Sequence, residues 1–147
     1  MLATFAGLIA APLAPAAPTV FAPKAGIYAS VEPKGPSVEF ELRRGKEVRT
    51  GTLAVETERE LRIEVADYNF DGYRDFATRH IDDGMGTIDV YNLFIYSPTT
   101  DRFVELMPKC GDMFLAIRVN RRAKTITNTY YQHGQITTCT RKYRTQR

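Results

Sequence analysis

In the segment SVEFELRRGKEVRTGTLAVE, apolar and polar residues alternate on both sides of a single glycine turn. Val38, Phe40 and Leu42 share one face of the first arm, and Val48, Leu53 and Val55 mark the second. A repeat of two is that of an extended strand with one buried face, whereas a helix needs apolar residues three and four apart. ELRIEVADY continues the pattern, with Leu61, Ile63 and Val65 against Arg62 and Glu64. TIDVYNLFIYSP is β-branched and aromatic, TTD makes a turn, and RFVEL returns, which predicts a hairpin. FLAIRVN, a turn over Asn120–Ala123, a strand through Ile126 and an alternating QITTCTRKYR complete the series. Seven or eight short strands with turn signals about every ten residues predict an all-β fold, mainly an antiparallel β-sandwich. No self-similar repeat is present, which argues against a solenoid or propeller.

The first residues read differently. Residues 2–11 form an apolar run shorter than the roughly 20 residues a membrane-spanning helix needs. Small residues around Ala14-Pro15-Ala16 follow it, as at the end of a secretory signal, although no Lys or Arg precedes the run. The expectation is a signal over residues 1–17. Six of the eight prolines lie at or before Pro36. That density predicts a disordered Ala/Pro-rich linker over 18–36, with a single β-domain over 37–147. In an exported, periplasmic or secreted domain, the even cysteine count favours a Cys110–Cys139 disulfide over two buried thiols.

The segment VADYNFDGYRDFAT holds the most specific chemistry. Counting Asp67 as position 1, Asn69, Asp71, Gly72, Tyr73 and Asp75 fall at positions 3, 5, 6, 7 and 9. A hard cation such as Ca²⁺ takes six to eight oxygens. Side chains at 1, 3, 5 and 9, a main-chain carbonyl at 7 and a glycine at the sharp turn match that demand. Carboxylates so closely spaced repel one another unless a cation sits among them. Position 12 is Thr78, so the bidentate Glu of an EF-hand is missing, and the flanks read as strands. The spacing resembles the DxDxDGxxD calcium loops of FG-GAP and integrin-type repeats. Asp82, Asp83 and Asp89 are the nearest acids in sequence to supply the remaining ligands. The competing reading is a solvated acidic turn whose Asp and Asn cap the backbone.

Signals for catalysis are absent. The two histidines, His80 and His133, are far apart, and HExxH, CxxC, GxSxG and P-loop patterns do not occur. The expectation is a protein that is not an enzyme. All seventeen acids lie at or before Asp112 beside twelve Lys and Arg, while the remaining 35 residues carry eight Lys and Arg and no acid. Such asymmetry marks either a surface for a polyanion or two halves of a sheet whose charges face each other. A nucleic-acid partner is disfavoured, because the basic residues are not interleaved with a stacking platform.

Three segments then carry a resemblance in order: VADYNFDGYRDFAT, DVYNLFIYSPTTDRFVEL and FLAIRVNRRAKTITNTYYQHGQITTCTRKYR. Over about residues 60–147 the chain is similar to small exported bacterial proteins. These are typified by the calcium-binding periplasmic inhibitor of peptidoglycan hydrolases associated with bacteria-killing type IV secretion systems. The resemblance implies a sandwich like that of lysozyme inhibitors, bound Ca²⁺, and a protein partner, a peptidoglycan hydrolase or lysozyme-like toxin, that it blocks as an immunity protein. A calcium-stabilised carbohydrate-binding or adhesion module is the alternative. An inhibitor needs a protruding loop with aromatic and polar groups, and the best local candidate is Tyr130, Tyr131, Gln132, His133 and Gly134. Its alternative is a hairpin turn whose tyrosines pack on the sheet.

Overall fold

A computed structural model describes residues 17–143, and every regular element in that range is a β-strand. The strands are β1 (Thr19–Lys24), β2 (Ile27–Lys34), β3 (Ser37–Arg44), β4 (Glu47–Ala54), β5 (Arg62–Ala66) and β6 (Asp75–Ile81), then β7 (Asp89–Ser97), β8 (Arg102–Leu106), β9 (Phe114–Asn120), β10 (Thr125–Gln132) and β11 (Gln135–Lys142). They form two antiparallel sheets. The first is the four-stranded meander β1-β2-β3-β4; the second has seven strands, in the order β11-β10-β9-β7-β6-β5, with β8 on β7. One edge of β7 is shared. Its Leu93–Ser97 half pairs with β8, and Val90 and Tyr91 pair with Leu115 and Phe114 of β9.

The fold class is as expected, but eleven strands stand where seven or eight were predicted, and the proline-rich stretch is the main correction. Residues 18–36 are not a linker: they contain β1 and β2. The prolines are tolerated because of where they fall. Pro23 sits on the edge strand, where the pairing register shifts between Phe21 and Lys24. Pro33 lies beyond Val31, the last β2 residue that faces β1, so no ladder bond on that side misses its N–H. The signal expected over 1–17 lies outside the described residues except for Ala17.

Two apolar clusters hold the molecule. Val31, Val38, Phe40 and Leu42 of the small sheet pack against Phe76, Phe94, Tyr96 and Phe103 of the large one. Phe103 meets Phe76 and Phe40 edge-on, with ring centroids 4.8 and 5.4 Å apart. On the other face of the large sheet, Ala77, Leu93, Phe114 and Ile126 close over Tyr68 and Phe70. Neighbouring residues such as Phe76 and Ala77 therefore enter opposite cores, and β6 is buried on both faces from Asp75 to Thr78. Cys110 and Cys139 are disulfide-bonded, with Cα atoms 6.5 Å apart. By the chain-entropy account, closing a loop of this length stabilises by about 3–4 kcal/mol.

Candidate functional site

The segment from Asp67 to Asp75 is the hairpin loop between β5 and β6, closed by the Ala66–Asp75 pair. Its sequence alternates in function. Tyr68 and Phe70 are buried in the second core and anchor the loop, while Asp67, Asn69 and Asp71 stay nearer solvent. Phe70 also meets Tyr143, with ring centroids 5.8 Å apart. Inserting Phe70 requires a left-handed backbone at that residue (φ 61°), and Gly72 follows at φ 94°, where a side chain would be strained.

The polar side chains converge on the main chain. The Asp71 N–H donates to Asp67 Oδ1 at 3.2 Å and to Asn69 Oδ1 at 3.3 Å. The Gly72 N–H donates to Asp67 Oδ2 at 2.8 Å, and the Tyr73 N–H to Asp71 Oδ1 at 2.9 Å. The Asn69 amide donates to Asp71 Oδ2 at 2.9 Å. Asp75 is turned the other way and fully buried. Its carboxyl accepts the N–H groups of Tyr68 at 2.8 Å and Tyr96 at 2.9 Å. Burial pushes the Asp75 pKa up to about 7; those two N–H groups oppose the shift, and the charges of Asp71 and Asp67 add to it. Tyr73 packs edge-on to Tyr96 at 5.9 Å, and the Lys24 ammonium lies 5.7 Å from the Tyr73 ring centroid.

The loop thus brings together two carboxylates and an amide oxygen on its outer side, with a third carboxyl behind them. Among the described residues, no group of three His, Cys, Asp or Glu side chains is gathered to hold a metal ion. The acids expected to complete the ligand set are not there. Asp82, Asp83 and Asp89 stand beyond the far end of β6, on the order of 20 Å away at about 3.3 Å per residue. Each has its own work. Asp82 accepts the N–H groups of Gly86, Thr87 and Ile88, and these, that of Ile88 foremost, hold its pKa down to about 2. Asp83 accepts the Thr57 hydroxyl at 2.9 Å, and Asp89 pairs with Arg79 at 2.8 Å.

The expected partner loop is a tight turn. Gln132 pairs with Gln135, so only His133 and Gly134 bridge β10 and β11, and both have positive φ (51° and 75°). Tyr131 is exposed beside its cross-strand neighbour Ile136, and Tyr130 is half-buried. Tyr130 packs under the loop that precedes β9, where a Cβ on Gly111 would lie 2.7 Å from its own Cβ. Sequence reasoning missed what holds that loop. Buried Asn128 donates to the carbonyls of Cys110 at 2.9 Å and Met113 at 3.1 Å, and accepts the Leu115 N–H at 2.8 Å. The only hint in sequence is a polar residue at an inward position of β10.

Comparison with family models, with curated proteins and with solved structures returns no match for this chain.

Proposed function

We propose that the protein is an exported calcium-binding β-module that binds and inhibits a peptidoglycan hydrolase, acting by occupancy and not by catalysis. The observation that carries the calcium part is the 67–75 loop. Its oxygen-bearing side chains project from a hairpin pinned by Tyr68 and Phe70, and the charges of Asp71 and Asp67 add to the burial that raises the pKa of Asp75 behind them. A divalent cation held by Asp67, Asn69, Asp71 and the Tyr73 carbonyl, with Asp75 behind, would cancel that repulsion. The Cys110–Cys139 disulfide supports an oxidising compartment, where structural disulfides persist. The inhibitor part rests on the resemblance set out above, and a rigid sheet that displays anchored loops supports it.

The test is the melting temperature of the full chain against free calcium, beginning in chelator, with Asp71→Ala alongside. A ligand bound only by the native state stabilises it by about 2.7 kcal/mol at a hundredfold excess over Kd. Calcium is expected to raise the melting temperature of the wild type and leave Asp71→Ala unmoved. No response of either at millimolar calcium would make the loop a capped acidic turn. A cell-wall lysis assay with purified hydrolases tests the second part. Glycan binding without loss of lysis would make the chain a carbohydrate-binding module instead.

A further inference from the structure

We propose that the groove between the 82–88 loop and the 111–113 turn is a docking site for a cationic protein segment that carries an apolar side chain. The proposal rests on the reading of the chain as a binder of proteins, and it locates the binding surface. The groove has a volume of about 370 Å³, and its floor includes the cross-strand pair Val90 and Leu115. Met85 stands on one side, 87% exposed, Met113 on the other, 50% exposed, and Tyr131 closes a third, 54% exposed. Ile136, across from Tyr131, extends the apolar surface.

Water-facing thioethers and a tyrosine around an apolar floor suit a partner, since Met side chains adapt their shape to what they meet. Both walls are built in advance. Asp82 gathers three N–H groups of the 82–88 loop, and Asn128, the disulfide and the close Gly111–Tyr130 approach fix the other. Less ordering cost then falls on binding.

Charge selects the occupant. Among the described residues, the charged ones that line the groove are Asp82 and Asp112. The N–H groups around Asp82 keep its carboxylate ionised but leave its charge uncancelled. An acidic apolar groove favours Lys or Arg beside a Leu-like side chain, and it repels phosphate backbones and anionic lipid.

The full-length chain labelled at the methionine methyls provides its own control, because Met107 is exposed and does not line the groove. The probe is an alternating Leu/Lys peptide, compared with its Leu/Glu counterpart. The Leu/Lys peptide is expected to move the Met85 and Met113 methyl resonances and not that of Met107. Asp112 is exposed, so Asp112→Lys is expected to weaken that binding by up to about fivefold, the upper range for an exposed ion pair. Equal shifts at Met107, binding of the Leu/Glu peptide, or shifts of the same methyls by anionic phospholipid vesicles would overturn the assignment. A basic lysozyme separates this inference from the inhibitor reading. If the chain blocks the lysozyme and the peptide does not relieve the block, the groove is not the docking site and the inhibitor reading stands. If the peptide fills the groove while the lysozyme is untouched, the groove stands and the inhibitor reading falls.

Discussion

Replacing Asn128 with Ala tests how the wall of the groove is held. Asn128 is 2% exposed and makes three hydrogen bonds to the main chain, two of them across the turn into β9. Its loss leaves the Leu115 N–H, on a buried residue, with no acceptor, at a cost of about 1–3 kcal/mol. The carbonyls of Cys110 and Met113 belong to half-buried and exposed residues, so water replaces the lost donor. Each of those bonds then counts as an ordinary exchange of about 0.5–1.5 kcal/mol. The expected total is about 2–6 kcal/mol. Asn128→Asp sharpens the argument. It keeps an acceptor for Leu115 and the same shape, but it aims a carboxylate at two carbonyl oxygens. It is expected to be at least as destabilising as Ala at pH 7, and to recover as acid protonates the new carboxyl. Urea unfolding of the disulfide-intact chain, followed by circular dichroism, reads both variants. A loss below about 0.5 kcal/mol for Ala, the range of an ordinary surface substitution, would refute the claim that this side chain holds the loop.

Two further outcomes follow from single residues. Gly72→Ala, at φ 94°, is expected to cost about 1–2 kcal/mol and to weaken any calcium response; a neutral result would show that the loop relaxes freely. Burial lowers the His80 pKa from its ordinary 6.5, against the opposing charges of Asp83 and Asp82, so the unfolded chain takes up the proton first as pH falls through 6.5. The stability that neutral His80 contributes is present above that pH and lost below it, so the melting-temperature advantage of wild type over His80→Gln should shrink between pH 8 and pH 5.5. A gap independent of pH would contradict it.

Legible strands were those whose apolar and polar residues alternate in sequence or, for the β7–β8 hairpin, whose β-branched and aromatic runs flank a turn. In β3 that alternation becomes one buried and one exposed face, whereas β5 and β11 alternate in sequence but bury no residue. β6 was hidden for the opposite reason. DFATRHI contributes Phe76 to one core and Ala77 to the other, so burial on both sides erases the alternation. β1 and β2 were hidden by their prolines, whose meaning depends on which side of each strand lacks a neighbour. The groove had no local signature. Its parts come from two separate loops and from β7, β9 and β10, joined only by the register of those strands.

The acids show why the site was only half legible. The spacing of Asp67, Asn69, Asp71, Gly72 and Asp75 is a local property, and the hairpin honours it by placing them in one loop. Completing the ligand set from Asp82, Asp83 and Asp89 assumed that nearness in sequence is nearness in space. An extended strand of seven residues separates them instead. Their surroundings then divide the work among identical side chains. Buried Asp75 is pushed up to about 7 and holds the hairpin to β7 through the Tyr96 N–H, while Asp82, ringed by N–H groups, is held down to about 2 and shapes a different loop. Composition counts both as negative charge. Only the fold separates an acid whose burial opposes its charge from one that backbone N–H groups keep ionised, so the loop at one end of β6 and the groove at the other call for different ligands.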